Sequence, residues 1–204
     1  KQNPSLERAY EARGHAWHKK GRFHKAIADY TKVLEMNPDH TGVYHNRGSA
    51  WGKAGNYDQA IADFNKALEL SPNEASLYDN RGSAWRKKGD YGRAIEDYIR
   101  ALDVDPDFAI TYNNLAWLLA TCPNPRYRNG IKALKLAQKA LNLTPDASTL
   151  DTLAAAYAEA GKFKDAVRVM ERILSMVDTG DTEYQPIYRK HLESYKANTP
   201  WRAK

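Results

Sequence analysis

The chain has 204 residues, 42% of them hydrophobic and 27% charged, a balance that argues against a disordered chain and leaves ample length for a core. Its 31 basic and 25 acidic residues give a net charge of +6, but the signs interleave, so charge alone points to no nucleic-acid stripe. The single cysteine, Cys122, excludes an internal disulfide and a Cys₄ or Cys₂His₂ zinc site, and no apolar run approaches the roughly 18 residues of a membrane span. Lys1 rather than methionine opens the sequence, as expected of a fragment or processed product. Any targeting segment is then expected outside it, and the compartment is left open.

Taken in chain order, the first elements repeat. Trp17, Trp51 and Trp85 are spaced by 34, as are Gly14, Gly48 and Gly82, then Gly21, Gly55 and Gly89, then Ala26, Ala60 and Ala94, and finally Pro38, Pro72 and Pro106. Five columns with one period define three copies of one unit, 7–40, 41–74 and 75–108. Each copy reads as two helices. In the second, Tyr44, Gly48 and Trp51 share one face of a first helix, and Ala60, Phe64, Ala67 and Leu68 share a face of the next. Gly55-Asn56 is the turn between them, because glycine takes the left-handed conformation that ends a helix. Pro72 closes the unit, because proline cannot continue the hydrogen-bond ladder.

This pattern resembles the tetratricopeptide repeat family, whose 34-residue unit runs W-x₂-L-G-x₂-Y, A-x₃-F, P. The second copy reads Tyr44-x₂-Arg47-Gly48-x₂-Trp51, Ala60-x₃-Phe64, Pro72. Its two aromatics are exchanged, and arginine (Arg13, Arg47 and Arg81 in the three copies) stands where leucine is usual. Two degenerate copies follow. The fourth, 109–146, carries Tyr112, Leu115, Ala116, Leu119, Ala133, Ala137, Ala140 and Pro145, with a turn lengthened to 121–130 and bearing an exposed Tyr127. The fifth, 147–180, carries Leu150, Ala154, Tyr157, Gly161, Ala166 and Met170 but no closing proline. An amphipathic segment at about 183–197 reads as a cap for the apolar end of the array. The expected fold is all-α: one domain over 1–204, a right-handed solenoid of five tetratricopeptide repeats (ten helices) plus a capping helix.

No catalytic constellation emerges. Cys122 has no histidine near it in sequence, no phosphate loop or His-Glu-x-x-His occurs, and the expectation is a non-enzyme without cofactor or metal. His15 and His18 have a spacing that can hold a metal, yet read more simply as a solvated helix face. Asp29, Asp63 and Asp97 recur at 34 and are expected to pair with basic residues as a feature of the repeat.

The resemblance implies that the first helices line a concave face that receives an extended peptide. Carried over residue by residue, that face holds His15, His18 and Lys19 from the first unit, His45, Asn46 and Lys53 from the second, and Asn80, Arg86 and Lys87 from the third. The fourth supplies Ile110, Asn113, Asn114, Trp117, Ala120 and Thr121, and the fifth Ser148, Asp151 and Glu159. Asn46, Asn80 and Asn114 fall at one equivalent position. Each side chain offers the acceptor and donors that match a peptide group, so they resemble an asparagine ladder that grips backbone without reading sequence. On the early part of the face Arg8, Lys19, Lys53, Arg86 and Lys87 outnumber Glu11 and Asp79, which makes it basic, while Asp151 and Glu159 make the late part acidic. Together these imply a protein or peptide partner, acidic at one end, with Trp117 as an apolar anchor. The two-carboxylate clamp of chaperone adaptors is not matched, since only Asn46 agrees with it. The alternatives are a self-assembling repeat protein forming homo-oligomers and, behind it, a helical-repeat RNA binder.

Overall fold

The computed structural model describes residues 4–177 and 183–203; positions 178–180 of the expected fifth unit lie outside the described residues. Among those described, the chain forms eleven α-helices, one short 3-10 turn and no strand. They group into two compact units, Lys1–Asp105 and Pro106–Lys204. The first holds α1 (Pro4–Lys19), α2 (Phe23–Met36), α3 (Thr41–Lys53), α4 (Tyr57–Leu70), α5 (Ala75–Lys88) and α6 (Tyr91–Val104). The second holds α7 (Ala109–Thr121), the 3-10 turn Pro125–Tyr127, α8 (Gly130–Leu143), α9 (Ala147–Glu159), α10 (Phe163–Met176) and α11 (Gln185–Lys196).

In the first unit α1/α2, α3/α4 and α5/α6 pack as pairs, and each second helix packs on the first helix of the next pair. The turn inside each pair depends on a glycine. Gly55, at φ +84°, takes a conformation that side chains rarely adopt. The pairs approach closely through a second glycine column. A Cβ on Gly48 would lie 2.9 Å from the Phe64 ring, and one on Gly82 3.0 Å from the Tyr98 ring. Where the aromatic is absent the glycine is too: the equivalent positions of the later pairs are Ala116 with Ala137, and Ala154 with Met170. A glycine thus stands where an aromatic ring must fit against the first helix, and alanine takes its place where the facing side chain is alanine or the flexible methionine.

A repeated ion pair joins the helices of each early repeat. Arg47 on α3 donates from Nε and Nη2 to the two carboxylate oxygens of Asp63 on α4, at 2.8 and 2.7 Å. Arg13 with Asp29, and Arg81 with Asp97, repeat this two-pronged geometry. The remaining nitrogen reaches back one repeat: Arg47 Nη1 donates to Thr31 Oγ1 on α2 at 3.0 Å, and Arg81 Nη1 to Asn65 Oδ1 on α4 at 2.7 Å. Each guanidinium also lies over the tyrosine three residues earlier, Arg47 at 5.7 Å from the Tyr44 ring. The carboxylates are 5–6% exposed, so these arginines are the basic partners that the Asp29, Asp63 and Asp97 column requires.

In the second unit α7/α8 and α9/α10 pair in the same way, α7 also packs directly on α9, and α11 packs on α10 as the cap. Here the positions of the ion pair are apolar, Leu115 with Leu136 and Leu153 with Val169. The lengthened 121–130 turn is pinned rather than loose. Asn129 N donates to Leu119 O at 2.9 Å, and Arg128 reaches Cys122 O at 3.0 Å and Glu159 at 3.0 Å. A Cβ on Gly130 would meet the α9 backbone at 2.6 Å, so only glycine lets the turn close there. Tyr127, expected to be exposed, is half-buried, with Arg126 over its ring at 5.9 Å.

Two measurements test this packing. Gly48→Ala inserts a methyl into the Phe64 ring and is expected to cost about 1–3 kcal/mol in chemical denaturation; an unchanged midpoint would mean the helices can part freely. Asp63→Leu alone strands the Arg47 cation and is expected to cost about 3–5 kcal/mol. The double variant Arg47→Leu/Asp63→Leu copies the chain's own Leu115/Leu136 pair and is expected to recover most of that loss.

Candidate binding faces of the first helices

In the first unit α1, α3 and α5 lie side by side, and polar side chains bridge them. Asn46 Nδ2 on α3 donates to His15 Nε2 on α1 at 2.9 Å, and Asn80 Nδ2 on α5 donates to His45 Nε2 on α3 at 2.8 Å. Asn46 and Asn80 therefore each spend one amide hydrogen on a neighbouring helix. Each keeps a second amide hydrogen and a carbonyl oxygen for which no partner occurs among the described residues. The histidines rest on aromatics of the second helices, His15 edge-on to Tyr30 at 5.6 Å and His45 tilted against Phe64 at 6.1 Å.

Beside this polar row run the cations. Lys19, Lys53 and Lys87 are exposed at the last turns of α1, α3 and α5, and none makes an ion pair among the described residues. Lys53 lies close enough to His18 to add to the effect of burial, which lowers the pKa of that imidazole. Arg86 is half-buried near Tyr98, and its Nε meets no acceptor among the described residues. Of the acidic groups expected on this face, Glu11 lies 3.7 Å from His40 and Asp79 is buried. What remains open is basic.

The second unit presents a different surface. Trp117 on α7 lies against His191 of α11, ring centroids 5.9 Å apart. Asp151 on α9 is held by His191 Nδ1 at 2.8 Å, and both are buried. Glu159, at the end of α9, takes Arg128 at 3.0 Å on one oxygen and Arg202 at 2.7 Å on the other. The acidic residues are thus matched within the unit. Asn114 lines a separate cleft of about 260 Å³ with Ala109, Ile110, Asn113 and Ser148. The contributions of His191 and Arg202 had no sequence signal, because they lie 40 or more residues from Asp151 and Glu159, the α9 groups they meet. Cys122 is buried, and burial pushes its thiol up, away from the thiolate that nucleophilic chemistry needs.

Family models confirm what this geometry indicates. The tetratricopeptide repeat model matches residues 7–40 and 43–74, a TPR repeat model matches 82–120, and a further tetratricopeptide repeat model matches 147–176. The chain belongs to the tetratricopeptide repeat family. Among solved structures, a tetratricopeptide repeat protein of Thermus thermophilus is similar over 92% of this chain and 99% of its own, at 19% identity and a TM-score of 0.73. A MamA protein is similar over 85% of this chain and 92% of its own, at 23% identity and a TM-score of 0.68. The first such repeat domain of Spaghetti, solved bound to the HSP90 peptide SRMEEVD, covers 55% of this chain and 89% of its own, at 26% identity and a TM-score of 0.52. No curated protein matches in sequence. These repeats mark the chain as a protein–protein interaction scaffold, and no described helix is long and apolar enough to cross a membrane.

The His45–Asn80 bridge is expected to give this tetratricopeptide repeat protein a pH dependence. Burial holds the His45 imidazole below its ordinary 6.5, with Glu74 opposing. Protonation would also set two donors, Nε2–H and the Asn80 amide, against each other. As the pH falls below about 6.5 the unfolded chain takes the proton first, so stability that is full above that value declines. The thermal midpoint is expected to fall between pH 7.5 and 5.5, and less steeply in His45→Gln. Parallel slopes would remove His45 from the account.

Proposed function

We propose that this protein is a non-catalytic scaffold that holds an extended, acidic peptide segment of a partner on the first-helix face of α1, α3 and α5. The observation that carries this reading is the row of Lys19, Lys53 and Lys87, equally spaced and without ion pairs among the described residues, beside the half-used amides of Asn46 and Asn80. Carboxylates of the partner meet the lysines, and its backbone meets the asparagines. Arg86 extends the basic row by one more donor.

The likeness to a repeat domain solved with the peptide SRMEEVD supports the general mode, since that peptide carries three carboxylate side chains. The residues differ from a two-carboxylate clamp, so the partner is read here by a distributed charge rather than by one terminal group. Hydrogen bonds of about 0.5–1.5 kcal/mol each from two asparagines supply only a few kcal/mol. Affinity is therefore set mainly by charge, and salt weakens it.

Fluorescence anisotropy with a labelled octapeptide rich in glutamate tests the reading. Wild type is expected to bind it and to lose affinity as salt rises. Lys19→Glu/Lys53→Glu/Lys87→Glu is expected to lose at least ten-fold, and Asn46→Ala/Asn80→Ala about 1–3 kcal/mol for its two lost hydrogen bonds. Undiminished binding by the lysine variant, with its helical signal intact, would overturn the proposal.

A further inference from the structure

The helix ends of the second unit carry the opposite charge logic, and they are already filled. The equivalents of Lys19, Lys53 and Lys87 are Thr121, the last residue of α7, and Glu159, the last of α9. A helix C-terminus leaves carbonyls without intrahelical donors and is the negative end of the helix dipole. Glu159 adds a full negative charge beside it. Such a place favours a cation with several donors, and an arginine is found there. After α11 the chain turns at Asn198, whose φ of +52° reverses its direction, and Trp201–Ala203 runs back without helical or strand structure. Arg202 Nη2 lies 2.7 Å from Glu159, and Nη1 donates to Ala120 O at 3.2 Å. Ala203 N donates to Thr121 O at 3.0 Å. The Trp201 ring sits 4.4 Å from that of His191, which Asp151 holds in place from α9.

We propose that the C-terminal ends of α7 and α9 form a second binding site, for an extended segment in which an aromatic residue precedes arginine, and that Trp201–Ala203 occupies it as a tethered ligand. The occupant is a partner segment of this chemistry, which displaces the chain's own. A second copy's identical segment brings no contact that the tethered one lacks, and tethering keeps the latter at an effective concentration on the order of millimolar. A partner wins by reaching further. In the cleft that also holds Asn113, Ile110 lies seven residues before Trp117 on α7, about 10 Å along the helix axis, which about three extended residues span. Asn113 Oδ1 is shielded there and accepts no hydrogen bond among the described residues, leaving an acceptor for a partner's backbone N–H. The inference concerns the fourth and fifth repeats alone and does not depend on the acidic-segment reading of the first unit.

The test uses the full chain and a labelled peptide of residues 197–204 as the probe. In anisotropy titrations Trp201→Ala/Arg202→Ala, which vacates the site, is expected to bind the probe at least ten-fold more tightly than wild type. A probe carrying Arg202→Glu is expected to lose at least ten-fold on the same variant. Equal binding by wild type and a still-helical vacated variant would overturn the proposal. Should the vacated variant lose its helical signal, amide exchange in wild type decides. Exchange at Trp201–Ala203 at least ten-fold faster than at Ala154–Ala156 of α9 supports a separable ligand, and exchange at the α9 rate marks an integral part of the core and overturns it.

Discussion

The pairing of Arg47 with Asp63, and its two copies, is the constraint on which the first unit depends. A carboxylate only 5–6% exposed cannot stay ionised among packed helices without a partner, and arginine alone offers a planar fork that satisfies both oxygens at once. Its leftover nitrogen then binds the preceding repeat through Thr31 or Asn65, so one side chain ties together three helices. Arg13 stands at the first repeat, where no earlier second helix is described for it to reach. Its side chain is 59% exposed against 19% for Arg47 and 21% for Arg81, which shows that burial of the guanidinium comes from the neighbouring repeat.

The second unit solves the same packing problem without charge. Leu115 with Leu136 and Leu153 with Val169 stand at the ion-pair positions, and Ala116 with Ala137 and Ala154 with Met170 replace the glycine and aromatic pairs. Apolar pairs carry no desolvation cost but offer no directional link to the next repeat. In their place come the direct packing of α7 on α9 and two arginines that converge on Glu159, Arg128 from the lengthened turn and Arg202 from beyond the cap. Degeneracy of the repeat sequence here is thus a change in how adjacent helices are held.

The two faces follow from what each unit does with its polar groups. In the first, Asp29, Asp63 and Asp97 are consumed inside the repeats, Glu11 and Asp79 are covered, and the lysines at the helix ends are left facing outward. In the second, the acidic helix ends are covered by α11 and the segment beyond it. A chain whose charges interleave evenly in sequence therefore exposes one open basic face and one closed acidic site.

The sequence by itself determined the family, the all-helical fold, the place of nearly every helix and the presence of a cap. It could do so because a 34-residue period places glycine, alanine and proline wherever a turn, a close approach or a stop is required, and those are local demands on backbone and volume. It also carried the Arg and Asp columns at a constant separation of 16, a signal from which their pairing could have been drawn. Only the tertiary structure decided that Asn46 and Asn80 share their amides with His15 and His45, that Arg128 of the 121–130 turn reaches Glu159, that Trp117 and Asp151 meet His191, and that Glu159 meets Arg202. Those contacts join residues about 30 to 75 positions apart, and the histidines and arginines that make them fall in no repeating column. No periodicity announces them, and burial and hydrogen-bond satisfaction select them only when the helices have been brought together.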